Sequence, residues 1–181
     1  MSIRYRLRLM SVVGMLLASQ VHADDTGTIT INGALKSPTC DAKVNNGTAD
    51  GTVTLPTVAT SLLASATQVA GNTPFTINLT GCDPAGSVAP YFQNNQATVN
   101  AAGRLINTAT GTPALFVELQ LLNATHGVIN LNSAVLAQNT GSAKVDATGS
   151  ATLNFSIQYY ATQQTTAGPV SSTLTYIINY I

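Results

Sequence analysis

Apolar and polar side chains alternate along the last third of the chain, with the period of two expected of a β-strand that buries one face. The apolar members are Leu153, Phe155, Ile157 and Tyr159 in a first stretch, and Leu174, Tyr176, Ile178 and Tyr180 in a second. A region rich in Thr, Gln, Gly and Pro separates the stretches, so the sequence predicts two long strands joined by a loop. Because the second strand runs to the last residues, we expect its far edge to be left uncovered.

Shorter alternating stretches precede these strands. The clearest have the apolar residues Phe75, Ile77 and Leu79, and Leu115, Val117, Leu119 and Leu121. Weaker patterns predict brief strands at 52–55, 105–106 and 128–136, and an exposed strand with a hairpin within 88–99. Turn-forming residues at 45–47 and 83–86 separate the stretches, whereas 62–69 is interpreted either as a loop or as one helical turn.

Residues 24–35 also alternate, but no partner strand is evident for them. Ile29, Ile31, Gly33 and Leu35 fall on one face of an extended chain, with Thr and Asn residues and Ala34 on the other. Two interpretations remain open at this point. The segment is either the first strand of a self-contained sandwich or a strand made for another molecule's sheet.

The first 23 residues have the features of a secretory signal peptide. Arg4, Arg6 and Arg8 form a basic region, an apolar run follows, and Val21-His22-Ala23 resembles a cleavage site. The apolar run is shorter than the roughly 20 residues of a spanning helix, so we expect cleavage before Asp24 and no membrane insertion of the mature chain. The predicted organisation is a signal peptide at 1–23, an extension at 24–35 and one domain at 36–181.

Composition narrows the class of fold and of partner. Only 8% of the residues are charged, and 45% are hydrophobic, which favours an ordered, turn-rich, all-β domain over a disordered chain. Removal of the leader takes three of the seven Lys and Arg residues and none of the seven Asp and Glu residues. The mature chain is therefore mildly acidic, which argues against nucleic acid as a partner.

The sequence contains two cysteines, Cys40 and Cys82, and both lie in the exported part. In an oxidising compartment, a lone pair of cysteines most simply forms one intramolecular disulfide. Catalysis is not predicted, because Glu118 is the only glutamate, His126 is the only histidine of the mature chain, and no phosphate-loop, metal-ligand or nucleophile motif is present. We predict neither a cofactor nor a metal site.

Several segments together resemble the chaperone-usher fimbrial subunits, specifically the type 1 major pilin family. They are the opening Gly-Thr-Ile-Thr-Ile-Asn-Gly-Ala-Leu before Cys40, the Asn-Leu-Thr-Gly-Cys-Asp run around Cys82, and Gln-Tyr-Tyr-Ala-Thr at 158–162. The C-terminal stretch adds a penultimate Tyr180 and, fourteenth from the end, Gly168. The resemblance extends over the whole mature chain.

The resemblance implies an immunoglobulin-like sandwich that lacks its last strand. In this family a periplasmic chaperone lends a strand, and an outer-membrane usher exchanges it for the N-terminal extension of the next subunit. Ile29, Ile31, Gly33 and Leu35 would then be the donor side chains, with Gly33 at the small position.

The same resemblance assigns the acceptor side of the exchange. The residues assigned to the acceptor groove and the chaperone-binding edge are Gly168, Leu174, Tyr176, Ile178, Tyr180 and Ile181. Cys40 and Cys82 would form the family's disulfide. The implied function is that of a structural subunit of a fimbria on the bacterial surface that supports cell adhesion. A minor adaptor or terminator subunit of the same fibre is the alternative.

Overall fold

The computed structural model describes residues 40–181, and the structural statements below concern these residues. The predicted signal peptide at 1–23 and the predicted donor strand at 24–35 lie outside the described residues. The described chain forms eight strands and one short 3-10 helix. They are β1 Asp41–Val44, the helix Thr60–Leu63, β2 Val69–Thr80, β3 Ser87–Phe92, β4 Leu105–Ile106, β5 Val117–Asn123, β6 Ala143–Lys144, β7 Ala151–Ala161 and β8 Tyr176–Tyr180.

The strands form two antiparallel sheets. One has five strands in the order β1-β2-β7-β5-β4, and the other has three in the order β6-β3-β8. Buried residues of both sheets belong to one hydrophobic cluster, and the rings of Phe92 on β3 and Phe155 on β7 meet edge to face with centroids 5.2 Å apart. The two sheets therefore share one core, as the predicted all-β sandwich requires.

The alternating stretches with the strongest pattern are strands. β2 and β7 pair along most of their length, with Phe75 opposite Phe155 and Ile77 opposite Leu153. In β7, Leu153, Phe155 and Ile157 are buried, whereas Thr152 and Asn154 are exposed. The period of two therefore predicted both the strand and its buried face.

Two predicted strands are absent from the described structure. Residues 52–55 form no strand pairing, although Val53 and Leu55 pack against the core. Residues 128–136 are mostly turns with one isolated bridge, Leu122 to Val128. In this region Ile129 and Leu131 reach the core from a loop, so their apolar spacing reflects burial without a ladder.

A buried side chain takes the place of main-chain pairing beside that loop. The amide of Gln138, which is 1% exposed, accepts a hydrogen bond from the N–H of Phe92 at 2.9 Å and donates one to its carbonyl at 2.7 Å. Thr140 donates to the carbonyl of Pro90. Side chains of the loop thus satisfy polar groups of β3, which removes the need for a strand there.

The burial of one strand and the starts of two others differ from the prediction. Within 88–99, β3 is mostly buried instead of exposed, since it lies between β6 and β8. β5 begins at Val117 because Phe116 has a positive φ of 60° that breaks the extended chain, and Leu115 is 52% exposed. β8 begins at Tyr176, opposite Phe92 at the end of β3, so Leu174 precedes the strand.

The turns form where they were predicted. Asn45 and Asn46 both have positive φ, and the N–H of Gly47 donates to the carbonyl of Val44 at 2.9 Å, as in a tight turn. Residues 83–86 close a second turn through the N–H of Gly86 and the carbonyl of Asp83. The ambiguous stretch 62–69 contains the end of the 3-10 helix and the start of β2.

Gly168 lies in close contact with the backbone of the segment before β5. A Cβ at this position would come within 2.4 Å of the Ala114 nitrogen and 2.6 Å of the Pro113 carbonyl carbon. Backbone atoms cannot swing aside as a flexible side chain can. This glycine therefore allows the chain before β8 to pass close to the chain before β5.

We expect Gly168→Ala to lower the free energy of unfolding by about 1–3 kcal/mol, the usual cost of overpacking. Urea denaturation followed by circular dichroism measures the change. Gly86→Ala is the matched control, because a Cβ there would meet its nearest described atom at an ordinary 3.5 Å. Equal stability of the two variants would show that the chain near Ala114 relaxes freely.

A candidate binding groove

A long groove opens between the edges of the two sheets. Its cavity volume is about 1390 Å³. The first wall consists of residues 40–44 and 47–55, which include β1, and the second wall consists of residues 170–176, which lead into β8. Since β1 ends the five-stranded sheet and β8 ends the three-stranded one, the groove is the open seam of the sandwich.

The floor of the groove is made of core side chains from both sheets. They are Phe75, Ile77, Phe92, Leu105, Leu119, Leu121, Ile157 and Tyr159. Val53 and Leu55 of the first wall, and Val170 and Leu174 of the second, are half-buried and pack against the same core. An occupant of the groove would therefore bury apolar side chains against an apolar surface.

Stretches of main chain along both walls make no backbone hydrogen bond within the described part of the chain. Residues 49–55 of the first wall, and residues 56–58 that follow it, make no backbone hydrogen bond to another residue of 40–181. The same holds for residues 172–174 of the second wall. The hydroxyl of Ser172, a groove-lining residue, is buried and also has no partner there. Polar groups in this state favour an extended peptide that pairs with both walls.

The disulfide anchors the first wall. Cys40 and Cys82 are bonded, with their Cα atoms 4.3 Å apart, as the cysteine count and the compartment predicted. The bond ties the residue before β1 to the segment just after β2, and β1 pairs with the end of β2, Asp41 opposite Thr80. One edge of the groove is thus attached covalently to the end of the neighbouring strand, β2, in the larger sheet.

Two tyrosine hydroxyls form hydrogen bonds to the first wall and the residue after it, at positions that have no strand partner among residues 40–181. Tyr159 donates to the carbonyl of Pro56 at 3.3 Å, and Tyr176 donates to the carbonyl of Ala49 at 2.9 Å. Burial raises the pKa of Tyr159 above its usual 10.0. Burial, and after it the negative charge of Asp50, raise the pKa of Tyr176 in the same direction. Both hydroxyls therefore stay protonated at neutral pH and act as donors.

Charged groups are sparse in this part of the molecule. Asp41, Lys43 and Asp50 are the charged residues that line the groove, and all three are exposed. The one described ion pair, Arg104 with Glu118, lies on the five-stranded sheet, where Arg104 also stacks over the ring of Tyr160 at 4.0 Å. Residues 40–181 contain no cluster of three metal-ligating side chains. The interior of the groove thus suits an apolar, uncharged peptide face.

The predicted acceptor residues fall into different places. Leu174 and Tyr176 line the groove, whereas Ile178 packs against the core further along β8. Tyr180 and Ile181 are 45% and 56% exposed at the end of that strand. Gly168 packs against Ala114 and is not part of the lining. The predicted donor residues, Ile29, Ile31, Gly33 and Leu35, lie outside the described residues.

The sequence-based assignment covered only one wall. It did not identify the first wall or the floor, because the residues concerned come from six separate segments that only the fold brings together. One signal was available. The alternating Val53 and Leu55 predicted a brief strand, and this pattern indicates a segment that buries one face.

Comparisons with known proteins point to one family. The profile of type-1 fimbrial protein, A (FimA), matches residues 55–181. The chain is 43% identical to the major fimbrial subunit SMF-1 of Stenotrophomonas maltophilia over 92% of this chain and 99% of that protein. It is 40% identical to the F17 fimbrial protein of Escherichia coli over 96% of this chain and 98% of that protein.

A solved structure has a similar fold. The P pilus rod subunit PapA superimposes with a TM-score of 0.58, covering 78% of this chain and 99% of that one, at 16% sequence identity. The similarity here is one of fold, and it agrees with the all-β sandwich found in residues 40–181. None of the helical structure in this range has the length and apolar character needed to cross a bilayer.

Replacing both cysteines, Cys40→Ala with Cys82→Ala, should lower the free energy of unfolding by about 4 kcal/mol, since the bond closes a loop of 42 residues. Urea denaturation of the oxidised wild type and the double variant measures the difference. Wild-type protein reduced with dithiothreitol should unfold at the same urea concentration as the variant. An unchanged midpoint in both samples would show that β1 is held by its pairing with β2 alone.

Proposed function

The chain belongs to the type-1 fimbrial protein family, and on that premise we propose that it polymerises by donor-strand exchange. It is a structural subunit of a fimbria assembled on the bacterial surface, as the family and the relatives above are. In the proposed exchange, the groove of each subunit takes up residues 24–35 of another copy. The function predicted from the sequence, a fimbrial structural subunit, is confirmed at the level of the family.

The observation that carries the proposal is the unpaired main chain on both sides of an apolar groove. A strand placed between residues 49–58 and 172–174 can hydrogen-bond to both walls and join the two sheets. Its alternate side chains would point at the groove floor, because successive side chains of a strand face opposite ways. An occupant needs apolar residues at every second position, with a main chain free to pair.

Residues 24–35 meet that requirement within the same sequence. Ile29, Ile31 and Leu35 supply an apolar face, and Gly33 supplies a position where no side chain needs room. Each subunit then has one donor segment and one acceptor groove. A contact between two different surfaces of identical molecules repeats without closing and builds a fibre.

The energetics favour a contact that persists for kinetic reasons. Burial of two isoleucines and one leucine contributes about 5–9 kcal/mol, whereas ordering the strand opposes this by about 1–2 kcal/mol per residue. The net equilibrium gain is therefore modest. Release of the strand from a groove in the core requires much of the sandwich to open, so we expect slow dissociation.

Before assembly, an open groove is an aggregation hazard, since it exposes apolar side chains and unpaired edges. This supports the proposal that a periplasmic chaperone covers the groove and β8 edge and that an outer-membrane usher receives the subunit. Tyr180 and the terminal carboxylate of Ile181 lie at the exposed end of β8, where such a chaperone is proposed to bind. Removal of residues 1–23 during export is part of the same proposal.

Identity to a relative named as a major subunit reaches 43% over nearly its whole length, which supports a role in the shaft of the fibre. A minor adaptor or terminator is the alternative within the same family. A structural role also accounts for the groove without any catalytic group. Electron microscopy with an antibody to this chain distinguishes labelling along the shaft from labelling at one end.

Gly33→Arg should abolish fibre formation, because a long charged side chain would have to enter the apolar groove of the next subunit. Ala34→Arg, on the opposite face of the donor strand, is the matched control and should still polymerise. Fibres are quantified by electron microscopy and by the ladder of polymers in unheated gel samples. Normal fibres from Gly33→Arg would refute the assignment of the donor face.

A copy of residues 28–35 added after Ile181 through a flexible linker should produce a monomer that melts at a markedly higher temperature than the unmodified mature chain. The added strand would fill the groove of its own molecule and leave no site for a neighbour. Size-exclusion chromatography and thermal denaturation measure the two effects. The control carries Arg at the position equivalent to Gly33 in the added copy, and equal melting temperatures of all three chains would argue against strand uptake.

A further inference from the structure

Among residues 40–181, a single hydrogen bond crosses the groove from one wall to the other. Tyr176 belongs to the second wall, and its hydroxyl donates to the carbonyl oxygen of Ala49 in the first wall at 2.9 Å. The two residues are 127 positions apart in the sequence. The contact therefore depends on the tertiary structure, and it sets the distance between the walls at this point.

The first wall has few other attachments near Ala49. Thr48 accepts a hydrogen bond from the N–H of Val44, but from residue 49 to residue 58 the main chain has no backbone partner within the described range. Gly51 packs against the side chain of Val44, and Val53 packs against the core. Residues 49–52 are themselves exposed, so this part of the wall can move if the tyrosine hydroxyl releases it.

The chemistry of the donor keeps the bond formed at neutral pH. Burial and the nearby carboxylate of Asp50 hold the pKa of the Tyr176 hydroxyl above its usual value. The hydroxyl remains neutral and protonated as a result. Its acceptor is a backbone carbonyl, which no change of pH in the physiological range removes.

We propose that the Tyr176 hydroxyl and the Ala49 carbonyl form a latch across the groove, which opens before a strand of a second copy enters. This inference rests on the proposed strand exchange and refines it, since it makes one hydrogen bond control the rate of insertion. A neutral hydrogen bond of this kind corresponds to a change in rate of about two- to tenfold. The latch limits how readily a free groove accepts a strand without blocking the site.

Tyr176→Phe removes the hydroxyl and keeps the ring that lines the groove. Tyr91→Phe is the matched control, because Tyr91 lies on β3, does not line the groove, and its hydroxyl donates no hydrogen bond to another residue of 40–181. The purified mature chain, in wild-type form and as each variant, is mixed with a fluorescent peptide of residues 24–35. The rise in fluorescence anisotropy measures the rate of uptake.

The latch predicts uptake that is about two- to tenfold faster in Tyr176→Phe than in the wild type, with Tyr91→Phe at the wild-type rate. Equal rates in Tyr176→Phe and the wild type would overturn the latch while leaving strand uptake established. Equal acceleration by both variants would overturn it as well. Failure of all three chains to take up the peptide would overturn the proposed strand exchange, and the latch with it.

Hydrogen exchange of the chains without peptide provides a second test that does not depend on strand uptake. Amides of residues 49–55 should exchange severalfold faster in Tyr176→Phe than in the wild type and in Tyr91→Phe, because the wall opens more often. Mass spectrometry of proteolytic fragments measures the difference. Unchanged exchange in this segment would contradict the latch.

Discussion

Main-chain N–H and C=O groups that lie beside an apolar surface need hydrogen-bond partners, and this requirement governs the structure at the seam between the two sheets. On the walls of the groove, residues 49–58 and 172–174 have no backbone partner among residues 40–181. The floor beneath them is formed by core side chains such as Ile77 and Leu121. Polar groups that need pairing and apolar groups that need burial thus occur at one place, and a single added strand satisfies both.

The rest of the fold keeps that seam in shape. β7 lies at the centre of the larger sheet, pairs with both β2 and β5, and places Phe155 against Phe92 of the other sheet. The disulfide fixes the start of β1 to the segment after β2. The first wall is therefore attached to the larger sheet through β1 and the disulfide, whereas further along it depends on side-chain packing and on two tyrosine hydroxyls. A groove built in this way can be stable as a site and still adjust its width.

Sequence patterns predicted strands well where a buried face and a pairing partner coincide, as in β2 and β7. They failed where burial occurs without pairing. Ile129 and Leu131 are buried in a loop that forms one isolated bridge and no ladder, and the amide of Gln138 satisfies Phe92 of β3 beside it. Val53 and Leu55 likewise pack against the core from a segment that forms no ladder with the described residues. Hydrophobic periodicity reports which side chains are buried, and it does not report which main chain lies alongside.

The sequence by itself determined the class of fold, the disulfide partners and the family, because these depend on composition, on the period of the apolar residues and on motifs that are local in the chain. The leader at 1–23 and the extension at 24–35 stay predictions from the sequence. Only the tertiary structure decided that Cys40, Val53, Leu105, Ile157 and Leu174 surround one groove and that Tyr176 reaches Ala49 across it. These residues are far apart in sequence, and no local pattern encodes their distances. Packing of two sheets over one core brings them together.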